Sequence, residues 1–398
     1  MNRIFKVYLA KAGSASEASA GLDLPAGPHA LLDALDKARL GPEDKLYMEV
    51  SEYYKCEFLA PYLYDDCDLY ALNALAGHLS EMEDRNLTAF EGLLQMEVNK
   101  REGPITMQKL CDLAVSVDCC HVVGEALNDS QLGRFYAENS FVPEVENLPD
   151  AVFELLDFEK IGRQARLGEG GVFTERGYVI QSGEPRQAPP VPTGPPQKPD
   201  HVFQLILDNY PFDEDNHKWL HIPLNLPATE EELDAALGKL DAPSWDEVIC
   251  TDYDGTIPNL RDMTDDVFLD IEQLNEFSAA VRKVEQAGRL TKYKAVLEAT
   301  ECTDLDIAAT LADRLDEYVF DPNISGFTEL AEDELRFSVS EDTAELLKKH
   351  LNLYQYGQDI LKQENAAITS YGLIQRGDGQ PVNIMEQLNQ QRMEMNME

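Results

Sequence analysis

The chain has 398 residues, 74 acidic and 33 basic side chains, a formal net charge of −41 and an isoelectric point near 4.3. Its hydrophobic content of 43% and aromatic content of 8% suffice for folded cores, so this is not the acidity of a disordered tail, and the length predicts two or three domains. Nucleic acid and anionic membranes are poor direct partners, because both bind through clustered cations.

The opening segment, MNRIFKVYLAKAG, has too short an apolar stretch for a signal peptide, and nowhere do about 18 apolar residues run together. The seven cysteines are odd in number and have no CxxC spacing. A reducing, cytoplasmic setting follows, without a zinc site or disulfide framework. Phe5 to Leu9 reads as a strand. Leu24-Pro25 then leads into ALLDALDKA, with apolar residues at helical spacing. A second strand-like run, LYMEVSEYY, ends in Glu52-Tyr53. Asp65, Asp66 and Asp68 precede the helix LYALNALAGHL, and Glu81, Glu83 and Asp84 are expected to close it at its C-terminus. Further on, AVSVDCCHVV sets Cys120 beside His121, read as a half-buried apolar segment and not a thiol nucleophile. Gly168-Glu169-Gly170-Gly171 lacks the lysine and strand–loop–helix context of a phosphate loop and reads as a turn before VFTERGYVI.

Residues 182–200 hold seven of the 21 prolines, which predicts a solvated, semi-rigid spacer. The order of signals then repeats. Phe203 to Leu207 forms a strand, Leu226-Pro227 leads into TEEELDAALGKL with Thr229 as helix cap, and EVICTDYD carries Asp252-Tyr253 opposite the earlier Glu52-Tyr53. Leu274-Asn275 answers Leu72-Asn73, and Tyr293 to Leu297 answers Phe90 to Leu94. YQYGQDILKQENAAITSYGLI answers FEKIGRQARLGEGGVFTERGYVI, sharing Gly162/Gly357, Thr174/Thr369 and Gly177/Gly372. Seven matches in constant order predict a tandem duplication, with modules at 1–181 and 201–376, a linker at 182–200 and a polar tail at 377–398 that is frayed or disordered. Strands and helices alternate without a βαβ rhythm, so the expected class is α+β, in small subdomains. Residues 1–200 carry net −15 and residues 201–398 net −26.

Val248 to Thr256 resembles the first motif of haloacid-dehalogenase-type phosphohydrolases. That resemblance would make Asp252 a nucleophile and Asp254 an acid/base with magnesium. The later lysine and acidic pair are missing, and no Rossmann-like alternation surrounds the motif. Among the seven histidines, His217 and His221 lie four apart without a third ligand, so no metal or cofactor is expected. The remaining signal is the acidic pattern. Asp213, Glu214 and Asp215 follow the second opening strand. Asp252, Asp254, Asp262, Asp265, Asp266 and Asp270 fall together around one cation, Arg261, and Glu329, Glu332, Asp333 and Glu334 form a further cluster.

These residues sit among motifs that resemble ArdA-type antirestriction proteins of mobile genetic elements: FQLILDNY, Trp219 before LPATEEEL, ICTDYD, IEQLNE and YQYGQD, from Phe203 to Gly372, with weaker counterparts in the first half. The resemblance implies a non-enzymatic, elongated DNA mimic that fills the DNA groove of a type I restriction-modification enzyme, with the acidic residues just named as its partner-binding surface. Such proteins are single modules that form dimers, so this two-module chain is expected to be a covalent pseudo-dimer. Another DNA-handling nuclease such as a CRISPR effector, a magnesium-dependent phosphohydrolase, and an acidic chaperone for basic proteins remain the alternatives.

Overall fold

The computed structural model describes residues 2–14, 16–41, 43–63, 67–101, 103–145, 148–209, 220–258, 260–264 and 270–384; the side chains of residues 261 and 262 lie outside that description. It mixes helices with small sheets, an α+β architecture. The first half runs β1 (Phe5–Lys11), β2 (Ser19–Leu24), α1 (Pro28–Lys37), β3 (Leu46–Tyr53), α2 (Leu69–Ser80), α3 (Asp84–Lys100), α4 (Met107–Ala114) and β4 (Cys120–Val123). It closes with α5 (Asp129–Glu138), α6 (Asp150–Phe153), α7 (Phe158–Glu169), β5 (Val172–Thr174) and β6 (Gly177–Gln181). The second half runs β7 (Phe203–Asn209), β8 (Ile222–Leu226), α8 (Glu230–Leu240), β9 (Val248–Gly255), α9 (Ile271–Gln286), α10 (Leu290–Ala299), α11 (Leu305–Asp313) and β10 (Tyr318–Asp321). It closes with α12 (Phe327–Ser338), α13 (Glu341–Lys348), α14 (Leu353–Gln363), β11 (Ala367–Thr369) and β12 (Gly372–Arg376). The two halves present helices and strands in the same order, and the sheets repeat it: β2-β1-β3 and β8-β7-β9, then β4-β6-β5 and β10-β12-β11.

Matching side chains do matching work in each half. The Leu24-Pro25 and Leu226-Pro227 peptides are both cis. The next residue is clamped by an asparagine side chain at both backbone groups: Asn73 Oδ1 accepts from Ala26 N at 2.7 Å and its Nδ2 donates to Ala26 O at 3.1 Å, while Asn275 does the same to Ala228 at 2.7 and 3.0 Å. Thr174 and Thr369 each donate Oγ1–H across the closing hairpin to the carbonyl of Gly177 or Gly372, at 3.0 and 2.8 Å. Backbone register corrects one sequence match. Ile4 N donates to Leu24 O and Tyr54 N to Ile4 O, whereas Val202 N donates to Leu226 O and Thr256 N to Val202 O. Tyr54 therefore corresponds to Thr256, which brings Glu52 opposite Asp254, two residues from the pairing with Asp252 read in the sequence.

Chain contacts divide the protein into two compact units, residues 1–7, 23–26 and 48–195, and residues 8–22, 27–47 and 196–398. In the first, a small core of Ala126, Leu132, Tyr136 and Tyr178 lies under α5 and α7. These helices cross closely enough that a Cβ on Gly162 would lie 1.9 Å from Asp129 O, and one on Gly133 would lie 1.8 Å from Phe158 O. The proline-rich run is without helix or strand, as proline requires, but its first part is not a free spacer. Gln108, Asp112 and Ser116, spaced at i, i+4 and i+8 along and just beyond α4, hydrogen-bond Ala188, Pro189, Val191 and Arg186. Their side chains supply partners that a run poor in amide donors cannot find in a sheet.

In the second unit, Phe203, Leu205 and Leu207 of β7 point into one core with Leu224 and Leu226 of β8, Leu274, Phe277 and Val281 of α9, Val296 and Leu297 of α10, and Leu311 of α11. A satellite core of Ile324, Leu330, Ile360 and Leu373 lies beneath α12 and α14. There Gly357 permits the crossing, because its Cβ would lie 1.9 Å from Phe327 O. The polar tail begins folded. Val382 and Ile384 are buried in the main core, and Asn365 Nδ2 donates to Gly379 O. Buried side chains and hydrogen bonds together hold residues 377–384 against the unit; residues 385–398 lie outside the description.

Candidate interaction surface

Helix ends position several of the expected carboxylates. Asp68 caps α2, accepting from Tyr70 N at 2.9 Å and Ala71 N at 3.0 Å, and Asp270 caps α9, accepting from Gln273 N at 3.0 Å. Each carboxylate satisfies orphan amide donors at a positive helix end, and both residues are exposed. Glu81 follows the last residue of α2, but Glu83 and Asp84 open α3. The sequence placed all three at a helix C-terminus. The break after Ser80 puts two of them at an N-terminus, where negative charge is favourable.

On the strands and α12 the expected residues divide. Asp252 is exposed on β9 and accepts from Tyr253 N. Asp254, two residues on, is half-buried and engaged by His29. Glu329 accepts from Ser325 N at 2.7 Å and Glu17 N at 3.3 Å. Burial opposes its ionisation, but these bonds hold the carboxyl below its ordinary range. Glu332 pairs with Arg336 at 3.4 Å and Lys348 at 3.2 Å, and Glu334 accepts from Ser338. Asp333 is exposed. Asp65, Asp66, Asp213, Glu214, Asp215, Asp265 and Asp266, and the side chain of Asp262, lie outside the described residues. Among those described, no lysine or arginine nitrogen comes within 4.0 Å of Asp68, Glu81, Glu83, Asp252, Asp270 or Asp333, and all six are exposed.

The other sequence motifs take ordinary structural places. Gly170 ends α7 in the left-handed conformation, at φ 71°. The GEGG run thus closes a helix where a phosphate loop must precede one. Glu169 within it accepts from the hydroxyls of Tyr136 and Tyr178. Cys120 and His121 are neighbours on β4 and so point to opposite faces, and burial pushes the Cys120 thiol up to about 11. β9, which carries the Asp-x-Asp-Gly-Thr run, pairs antiparallel with β7 in a three-stranded sheet. No described helix is long and apolar enough to cross a membrane.

Two groupings in the second unit had no sequence signal. On α1, Asp33 is buried and receives Lys294 Nζ at 2.6 Å, Lys37 Nζ at 2.9 Å and the Tyr371 hydroxyl at 2.8 Å. Burial pushes the Asp33 carboxyl up, but the two ammoniums outweigh it and hold it below its ordinary range. Burial and the adjacent carboxylate both push the Tyr371 hydroxyl far up. A cavity of ≈ 260 Å³ lies beside this cluster, lined by Lys37, Lys294, Glu298, Tyr371 and the apolar Ile257, Pro258 and Leu297. The second grouping is His29, His201 and Asp254, whose donor atoms all lie within 4.8 Å of one another. The 172 and 225 residues separating His29 from His201 and Asp254 make that convergence invisible to motif reading.

No known protein family and no curated protein matches the chain.

Proposed function

We propose that this chain is an acidic DNA mimic that inhibits a DNA-handling defence enzyme, with the nuclease–methyltransferase of a type I restriction-modification system as its target. The observation that carries the reading is the set of six exposed carboxylates with no lysine or arginine nitrogen within 4.0 Å among the described residues, on a chain of net charge −41. Duplex DNA presents one charge per about 1.7 Å, so 41 charges match the phosphates of about 70 Å of duplex. A cationic groove built for phosphates attracts carboxylates by the same field. The motif resemblance between Phe203 and Gly372 names the target class.

The repeated element order, the paired asparagine clamps and the paired hairpin threonines support an origin by duplication. One chain then takes the place of a dimer, with its two halves held at high effective concentration.

The test is DNA cleavage by a purified type I restriction enzyme, titrated with this protein at several salt concentrations and at rising concentrations of the substrate duplex. Inhibition that the duplex relieves and that weakens steeply with salt supports the proposal. Absence of binding, or inhibition insensitive to both salt and duplex, overturns it. Inhibition of an RNA-guided nuclease in a parallel assay, with the type I enzyme untouched, would keep the mimicry and move the target. Magnesium-dependent phosphatase turnover lost in Asp252→Asn would instead favour the phosphohydrolase.

A further inference from the structure

His29 opens α1 with its imidazole almost fully buried, 3% exposed. Its Nδ1 lies 2.8 Å from Asp254 Oδ2 and its Nε2 lies 3.2 Å from the carbonyl oxygen of His201. Both ring nitrogens therefore face oxygen acceptors. A neutral imidazole carries one N–H, so in that form one nitrogen lone pair points at an oxygen, an arrangement that a proton or a metal ion on that nitrogen relieves. The imidazole of His201 stands beside it, ring centroids 5.2 Å apart. We propose that His29, His201 and Asp254 form a binding site for a divalent transition metal of the zinc class, which would tie the first turn of α1 to β9 and to the segment leading into β7.

The donor set selects that class. Two imidazoles and one carboxylate suit Zn²⁺ and its neighbours in the first row, whereas Mg²⁺ and Ca²⁺ call for oxygen ligands throughout. Three protein ligands leave a fourth position for water. The cavity of ≈ 300 Å³ lined by Ala30, Tyr253, Asp254 and Gly255 can supply it. Metal–ligand bonds of about 2.0–2.1 Å put tetrahedral ligands somewhat over 3 Å apart. Asp254 then needs only a small outward step, and His201, half-exposed, a turn of its ring. Gly27 leaves the carboxylate its room, since a Cβ there would lie 2.6 Å from Asp254 Oδ1.

The rest of the chain argues that the set is not simply what this fold places there. The positions matching His29, His201 and Asp254 in the other half are Glu231, Arg3 and Glu52. Two of these form ordinary ion pairs, Arg3 with Asp23 at 3.2 Å and Glu52 with Lys6 at 3.3 Å. The site stands apart from the proposed inhibition, and its test does not use that activity.

Zn²⁺ alone is titrated into the full-length protein by calorimetry, with thermal unfolding in parallel and Mg²⁺ as the control cation. The expected result is saturable binding of one Zn²⁺ per chain and a rise in Tm of several degrees at a large excess over the dissociation constant, with no rise from Mg²⁺ at the same concentration. His201→Ala and Asp254→Asn should each lower Zn²⁺ affinity at least about tenfold. His201→Ala should leave the metal-free Tm nearly unchanged, because that side chain is half-exposed. The cysteines provide rival ligands, so Co²⁺ spectra are recorded too, and the site predicts nitrogen and oxygen ligation without a thiolate charge-transfer band. No saturable binding, a thiolate band, or undiminished affinity in His201→Ala would overturn the proposal.

Discussion

Three donors meet on the Asp33 carboxylate, and two of them are lysines with no other carboxylate as close among the described residues. Lys294 is 5% exposed, with its second acidic neighbour, Asp36, at 3.8 Å. Removing one member of a buried ion pair costs about 3–5 kcal/mol, because the survivor keeps its desolvation penalty. Asp33→Asn should accordingly destabilise the second unit by an amount in that range at pH 7, read from urea unfolding. The pH dependence has a fixed sign. The folded carboxyl is held below its unfolded value, so its contribution is full above the unfolded value near pH 4 and is lost as pH falls through the folded value. The gap between wild type and Asp33→Asn should close as the pH drops below about 4. A gap that widens on acidification would mean that Asp33 is carried protonated and that Lys294 finds its balance elsewhere.

Elements explain what single residues in the sequence could not. Gly162 and Gly357 stood out in the sequence only as a shared letter between two segments. Their reason lies at a crossing of α7 with α5 and of α14 with α12, where backbone sits in the space a Cβ would take. Gly162→Ala and Gly357→Ala should each cost at least about 1–3 kcal/mol through overpacking. Gly168→Ala, on the same α7 but with nothing within 4 Å of its Cβ, should stabilise by about 0.5–1 kcal/mol through helix propensity. Thermal unfolding of the three variants checks the contrast, and equal effects at 162 and 168 would refute the close crossing. Strand, helix and hairpin positions were legible because periodicity and caps are local. Thr229 shows this, forming the expected cap with Glu232 in reciprocal bonds. The register that pairs Glu52 with Asp254 was not legible, since it is set by backbone bonds from Ile4 and Val202 to distant strands. Nor was the anchoring of residues 186–191, which depends on three side chains of the α4 segment some 70 to 80 residues earlier.

At the scale of the whole molecule the question is how a charge of −41 acts when no single carboxylate dominates. An exposed charge pair contributes about 0.2–1 kcal/mol, so Asp252→Asn alone should barely change inhibition. The summed field works differently, because it sets the encounter rate and falls off with the Debye length, about 10 Å at 0.1 M salt and 3 Å at 1 M. Changing Asp68, Asp252, Asp270 and Asp333 to Asn, and Glu81 and Glu83 to Gln, should slow association with the target about tenfold or more at low salt. At 1 M salt, where the wild type has itself lost its advantage, the same changes should matter little. The amide variants keep the fold, because asparagine at the Asp68 and Asp270 positions caps a helix as well as aspartate does. Relief of like-charge repulsion offsets the lost attraction to the helix dipoles at positions 68, 83 and 270, so the unfolding midpoint should stay within a few degrees of wild type. Stopped-flow association measured across salt concentration separates the cases. A sixfold-neutralised protein that associates as fast as wild type at low salt would show that the partner reads something other than these carboxylates.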